Sequence, residues 1–82
     1  MKYEKIYVSV NINVDEYGDV RPLSVALPNG DRYEIDRVRY KTPAASLKVG
    51  GRGIRYTVMI EGREKYLFEE MGRWFVEGKA RK

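Results

Sequence analysis

"KIYVSVNINV", residues 5–14, alternates without a break: Ile6, Val8, Val10, Ile12 and Val14 share one parity, Tyr7, Ser9, Asn11 and Asn13 the other. A period of two places the apolar set on one face of an extended strand and the polar set on the opposite face. Reversal follows at "DEYGD", residues 15–19, where Asp and Gly suit a tight turn. "VRPLSVAL", residues 20–27, resumes the pattern with Leu23, Val25 and Leu27 on one face. Pro22 has no N–H for a ladder, so it marks an edge or the first residue of pairing. "PNGD", residues 28–31, carries the Asn-Gly pair that a type I′ hairpin turn favours, because both residues tolerate positive φ.

The third strand, "DRYEIDRVRY", changes phase: Tyr33 and Ile35 share one parity, Val38 and Tyr40 the other. A β-bulge at Asp36-Arg37 is the expected reconciliation. "KTPAASLKVGGRG", residues 41–53, has no periodicity, and a helical turn over residues 43–47 is the most it is expected to hold. Ile54, Tyr56, Val58 and Ile60 then mark a fourth strand, "EGRE" turns into "KYLFEE", and Met71-Gly72 turns into "RWFVE". Trp74 and Phe75 are neighbours on a strand and point to opposite faces, Trp74 toward the core and Phe75 toward a flank or a partner.

These elements predict an all-β domain: a five- or six-stranded antiparallel meander curled into an SH3-like barrel or a strongly twisted sheet. Curling removes the exposed edges that a flat sheet of this size leaves open. An OB-type barrel is the less favoured alternative, for want of a helix between strands. The 82 residues make one domain, expected over residues 1–78, with a basic, frayed tail at 79–82. A chain this short buries roughly 60–65% of the surface it exposes when unfolded, so its core is small.

Composition narrows the chemistry. Hydrophobic residues at 43% and charged residues at 34% exclude wholesale disorder. The chain has no cysteine and no histidine, which removes disulfides, thiolate nucleophiles, the usual neutral-pH base and the commonest metal ligands. Asp15, Glu16 and Asp19 lack the spacing of a calcium loop, and Glu69 and Glu70 diverge on a strand. A non-enzymatic protein without cofactor or metal is the expectation. No secretory segment and no run of about 20 apolar residues is present, so a cytoplasmic, soluble location is expected.

Charge supplies the strongest functional signal. Residues 1–36 hold four basic and seven acidic residues, a balance of −3, and residues 37–82 hold twelve and five, a balance of +7. Between Arg37 and Ile60 stand Arg37, Arg39, Lys41, Lys48, Arg52 and Arg55, with no acid among them. Alternation with Val38 and Tyr40 sends Arg37 and Arg39 to one face, and Arg55 points away from the core. If the third and fourth strands pair, these cations form a surface that neutralises phosphates, with Tyr40, Tyr56 or Trp74 as a stacking platform if exposed; Tyr40 is the ring assigned to the site. Partners of the expected kind are nucleic acid, DNA or RNA, or a protein docking on Tyr40, Tyr66 or Phe75 or along a sheet edge, and the chain is a monomer or homodimer. "GGRG", residues 50–53, runs into a strand rather than a helix, so it fails the nucleotide-loop pattern and reads as a glycine-bearing re-entry into the sheet.

Through "RYEIDRV", "PAASLKVGGRGIRYTVMIEG" and "RWFVE" the chain resembles a group of short bacterial all-β proteins of unknown activity, and the likeness covers nearly everything after Ile6. Some similar proteins are encoded beside Y-family, translesion DNA polymerases. The resemblance implies an accessory role in DNA repair or damage tolerance, through contact with DNA or with the polymerase.

Overall fold

A computed structural model describes residues 3–43 and 53–79. Among them are seven strands and no helix: β1 (Tyr3–Val14), β2 (Val20–Ala26), β3 (Arg32–Glu34), β4 (Arg37–Pro43), β5 (Ile54–Ile60), β6 (Arg63–Glu70) and β7 (Arg73–Lys79). Every pairing is antiparallel, in the order β3-β2-β1-β7-β6-β5-β4. The long first strand serves two partners: Tyr3–Val8 pairs with β7 and Ser9–Val14 with β2.

The outermost strands of this order, β3 and β4, are consecutive in the chain. Only Ile35 and Asp36 lie between them. The Ile35 N–H donates to the Leu23 carbonyl at 2.9 Å, beside β3, and the Asp36 N–H donates to the Met59 carbonyl at 2.8 Å, beside β4. Two adjacent residues thus tie the two ends of the strand order together, and the sheet is curled into a half-barrel. The single third strand expected over residues 31–40 is therefore two, which raises the count from five or six to seven. The phase change has two causes. A corner at Ile35-Asp36 replaces the bulge expected at Asp36-Arg37, and the bulge itself lies between Val38 and Tyr40.

Inside the curl, Val25, Tyr56, Val58 and Leu67 are buried, with Val8, Val10, Leu27, Ile35, Val38, Trp74 and Val76 packed around them. Ile12 and Val14 were expected to join Ile6, Val8 and Val10 but remain 43% and 54% exposed. β3 pairs only with Ser24–Ala26 of β2, so beyond Ser24 the described part of β2 has β1 alone as its ladder partner, although Pro22, opposite Ile12, is still buried. Leu23 was expected to face inward with Val25; it sits at a register shift opposite Asn11/Ile12 and is 40% exposed.

Turn chemistry follows the backbone donors. Pro28 has no N–H, so it cannot flank a two-residue loop on Asn29-Gly30, and the expected type I′ turn does not form. The Leu27 N–H instead donates to the Asp31 carbonyl at 2.8 Å, the Gly30 N–H donates to the Leu27 carbonyl at 2.9 Å, and Gly30 takes a φ of +96°. The same wider turn closes Asp15–Asp19, where the Asp15 carboxylate accepts from the amides of Tyr17 and Asp19.

Positive φ at both central residues, the mark of type I′, occurs at Glu61-Gly62 (+52° and +77°) and Met71-Gly72 (+53° and +82°). Met71 is 94% exposed, so its side chain contributes no packing to offset a left-handed backbone. Asn tolerates that region better. Met71→Asn is expected to raise the unfolding free energy by about 0.5–1 kcal/mol in urea titrations; an unmoved midpoint would mean the turn carries no strain.

Candidate nucleic-acid interface

Register assigns the outward-facing side chains. On the outside of the sheet one cross-strand row runs Thr42, Arg55, Phe68, Phe75, Tyr7, and the next runs Tyr40, Thr57, Tyr66. Phe68 and Phe75 are 4% and 0% exposed even though they face away from the core. Their rings stack at 5.3 Å, Tyr7 meets Phe75 edge-on at 5.7 Å, and the Lys5 ammonium lies 4.9 Å from the Phe75 centroid. The outer face thus has an apolar floor of its own, roofed by larger polar-tipped side chains.

Three tyrosines stand proud of that floor: Tyr7, Tyr40 and Tyr66 are 39%, 56% and 48% exposed. Each has a guanidinium against its ring. Arg73 lies 3.8 Å from the centroid of Tyr7, Arg55 4.7 Å from Tyr66, and Arg39 5.5 Å from Tyr40. Such contacts orient the cation without consuming its hydrogen-bond donors. The Nε of Arg55 is buried and has no hydrogen-bond partner among the described residues. Acids moderate the surface: Lys5 donates to Glu70 at 2.9 Å, and Arg39 approaches Glu64 at 3.6 Å. The hydrogen bond from Lys5 to Glu70, helped by that carboxylate's charge, holds the lysine above its usual range despite some desolvation.

The sequence-derived set divides. Arg37 shares the outer face, opposite Met59. The bulge makes Arg39 and Tyr40 consecutive outward-reaching residues, with Arg39 contacting Glu64 from across the sheet. Simple alternation gives Tyr40 the parity of Val38, but the bulge turns it outward, where the stacking role expected of it requires it to be; Tyr56 and Trp74, the other rings considered for that role, pack inside. Arg55 faces outward as expected. Lys41 departs: it pairs with the core residue Tyr56, its ammonium 5.4 Å from that ring, on the concave side. Lys48 and Arg52 lie outside the described residues, as do the segment 44–47 of the expected helical turn and the end of the tail at 80–82.

Three contributors were missed. Lys5 and Tyr7 belong to the acid-rich first half of the chain, and Arg73 follows a turn. The one signal available was the parity of β1, which already sends Tyr7 outward. Phe75, expected as a flank or docking residue, is buried; Trp74 packs inward against Tyr56 at 5.1 Å, as expected.

Gly53 fits the re-entry role. Its φ is +145°, and a Cβ there would collide with the Glu69 backbone carbonyl, so only glycine lets the chain rejoin β6 this closely. Among the described residues no group of acidic side chains is placed to hold a metal ion, and no helix is long and apolar enough to cross a membrane. Compared with known families, curated proteins and solved structures, the chain matches none.

Proposed function

We propose that the outer face binds single-stranded nucleic acid, without catalysing a reaction on it. One observation carries the reading: three exposed tyrosines, each held beside an arginine, rise from a shared sheet surface. Aromatic rings stack on any unpaired base, and neighbouring cations neutralise the phosphates that link the bases. A duplex hides its bases in its own stack and leaves the rings without a partner. The curled sheet is read as a small barrel of SH3-like type, supported by the way β1 is shared between two partners and by the corner at Ile35-Asp36. DNA repair beside a translesion polymerase is the setting that the resemblance of the sequence implies.

Anisotropy of a labelled oligothymidine tests this. Binding is expected to weaken linearly in log–log salt plots, with a slope of about −0.7 per phosphate contacted. Replacing Arg37, Arg55 and Arg73 together with Gln is expected to flatten that slope by about 2. Absence of binding at low salt, or a duplex bound as tightly as the single strand, overturns the proposal.

A further inference from the structure

Rings and cations alternate across five neighbouring strands. In the order β4-β5-β6-β7-β1, the exposed rings and the guanidinium groups set between them are Tyr40, Arg55, Tyr66, Arg73 and Tyr7, one on each strand. Register fixes their spacing. Tyr40 and Tyr66 face each other across Thr57, two strands apart, which at about 4.8 Å per strand separates them by about 9.6 Å. Tyr7 is again two strands from β6, but level with Phe75 and Phe68, two residues further along. That offset adds about 6.8 Å lengthwise and makes the second interval about 12 Å.

Between the rings the face is low. Thr57 is buried between Tyr40 and Tyr66, and Phe68 and Phe75 are buried between Tyr66 and Tyr7, with Lys5 lying over Phe75 on its way to Glu70. Among the described residues no exposed ring stands in either interval, but each interval holds a guanidinium, Arg55 on β5 and Arg73 on β7. The outward acids of these strands, Glu64, Glu70 and Glu77, all have partners, Arg39 for the first and Lys5 for the second.

We propose, resting on the single-strand reading above, that this face takes a segment of about five nucleotides laid across the strands and stacks only alternate bases, the first, third and fifth. One nucleotide of extended single strand reaches roughly 7 Å, about twice its stacked rise of 3.4 Å, and falls short of both intervals. Two nucleotides cross each. Alternate bases then meet Tyr40, Tyr66 and Tyr7. The second and fourth bases find a buried threonine and a lysine bridge in place of a ring, and so gain no stacking. Arg55 and Arg73 meet the phosphates that flank these skipped bases.

The test compares two labelled pentanucleotides on the full chain at low salt, alike in their number of bases and phosphates. One carries thymine at positions 1, 3 and 5 with abasic sites between; the other carries thymine at 2, 3 and 4 with abasic sites at both ends. The spaced pentamer can fill all three rings, whereas the contiguous one fills at most two in any register. The spaced pentamer is expected to bind about fivefold or more tightly, one stacked base being the difference. Tyr7→Leu keeps an apolar cover on Phe75 and leaves two rings two nucleotides apart, so it should bring the pentamers within about twofold of each other. Equal binding of the two by the parent chain, or preference for the contiguous one, overturns the alternate spacing and leaves single-strand binding standing. An undiminished preference in the folded Tyr7→Leu variant overturns it as well. Failure of intact pentathymidine to bind removes the single-strand reading, and this one with it.

Discussion

Tyr40→Ala with Tyr66→Ala is expected to weaken oligothymidine binding by at least about thirtyfold, since each lost stacking partner costs about 1–3 kcal/mol. The two rings sit in one row across Thr57, so a strand crossing β4 to β6 meets both. Their exposure means the substitution removes little packing, and the unfolding midpoint should move only slightly. The diagnostic is the salt slope. In the proposed mode the arginines make the phosphate contacts, so affinity is expected to fall while the slope stays where it was. Tyr→Phe at both positions keeps the stacking surface and should recover most of the affinity. If the double alanine variant binds within threefold of the parent, or if the slope falls with the affinity, the rings are not a base platform and the arginines act alone.

That face could be half read in the sequence. Strands β4 and β5 do pair, and of the acid-free run Arg37, Arg39 and Arg55 share the outer face, whereas Lys41 lies on the concave side and Lys48 and Arg52 lie outside the described residues. Composition by halves failed at the other end of the site. Lys5 and Tyr7 lie in the acidic half, and only the strand order, with β1 against β7, brings them beside Phe75 and Arg73. Tyr40, expected at the site, reaches the outer face only through a bulge that alternation does not show. Parity along a strand holds until a bulge inserts one residue, and a single residue reverses every side chain beyond it. The phase change between Ile35 and Val38 announced an irregularity without saying whether it was a bulge or a corner; it proved to be a corner, with a bulge two residues later. The turns were poorly legible. Asn29-Gly30 pointed to a type I′ hairpin that the missing N–H of Pro28 forbids, and Glu61 and Met71 gave no local sign that they would take left-handed backbone.

The apolar pattern misled in two opposite ways, at Ile12 and Val14, which are exposed, and at Phe75, which is buried on the nominally wet face. Alternation states which residues share a face. It does not state whether another layer covers that face, and coverage depends on where neighbouring strands end. Ile12 is 43% exposed although Pro22, its partner on β2, is buried, while Tyr7, Lys5 and Phe68 close over Phe75.

Phe75→Ala is accordingly expected to be the most destabilising single change on the outer face. A fully buried Phe truncated to Ala costs about 3–5 kcal/mol, from lost transfer free energy and the cavity left behind. A domain of this size has a total stability on the order of 4–12 kcal/mol, so the variant loses a large share of it and is expected to populate unfolded chain near room temperature. Collapse cannot easily fill the space. The neighbours are a stacked ring, an edge-on ring and a lysine tethered to Glu70, each held by its own contacts. Phe75→Leu retains most of the volume and should cost only about 1–1.5 kcal/mol, leaving a folded chain for comparison. Urea unfolding followed by far-ultraviolet circular dichroism and by Trp74 fluorescence reads both variants, since Trp74 reports the inner side of the same strand. Coincident transitions are expected, because the inner core and the outer aromatic layer share β7 and should melt as one. A loss below about 1 kcal/mol in Phe75→Ala would show that the outer layer is decoration on a self-sufficient inner core. The tyrosine–arginine face would then rest on a surface free to move.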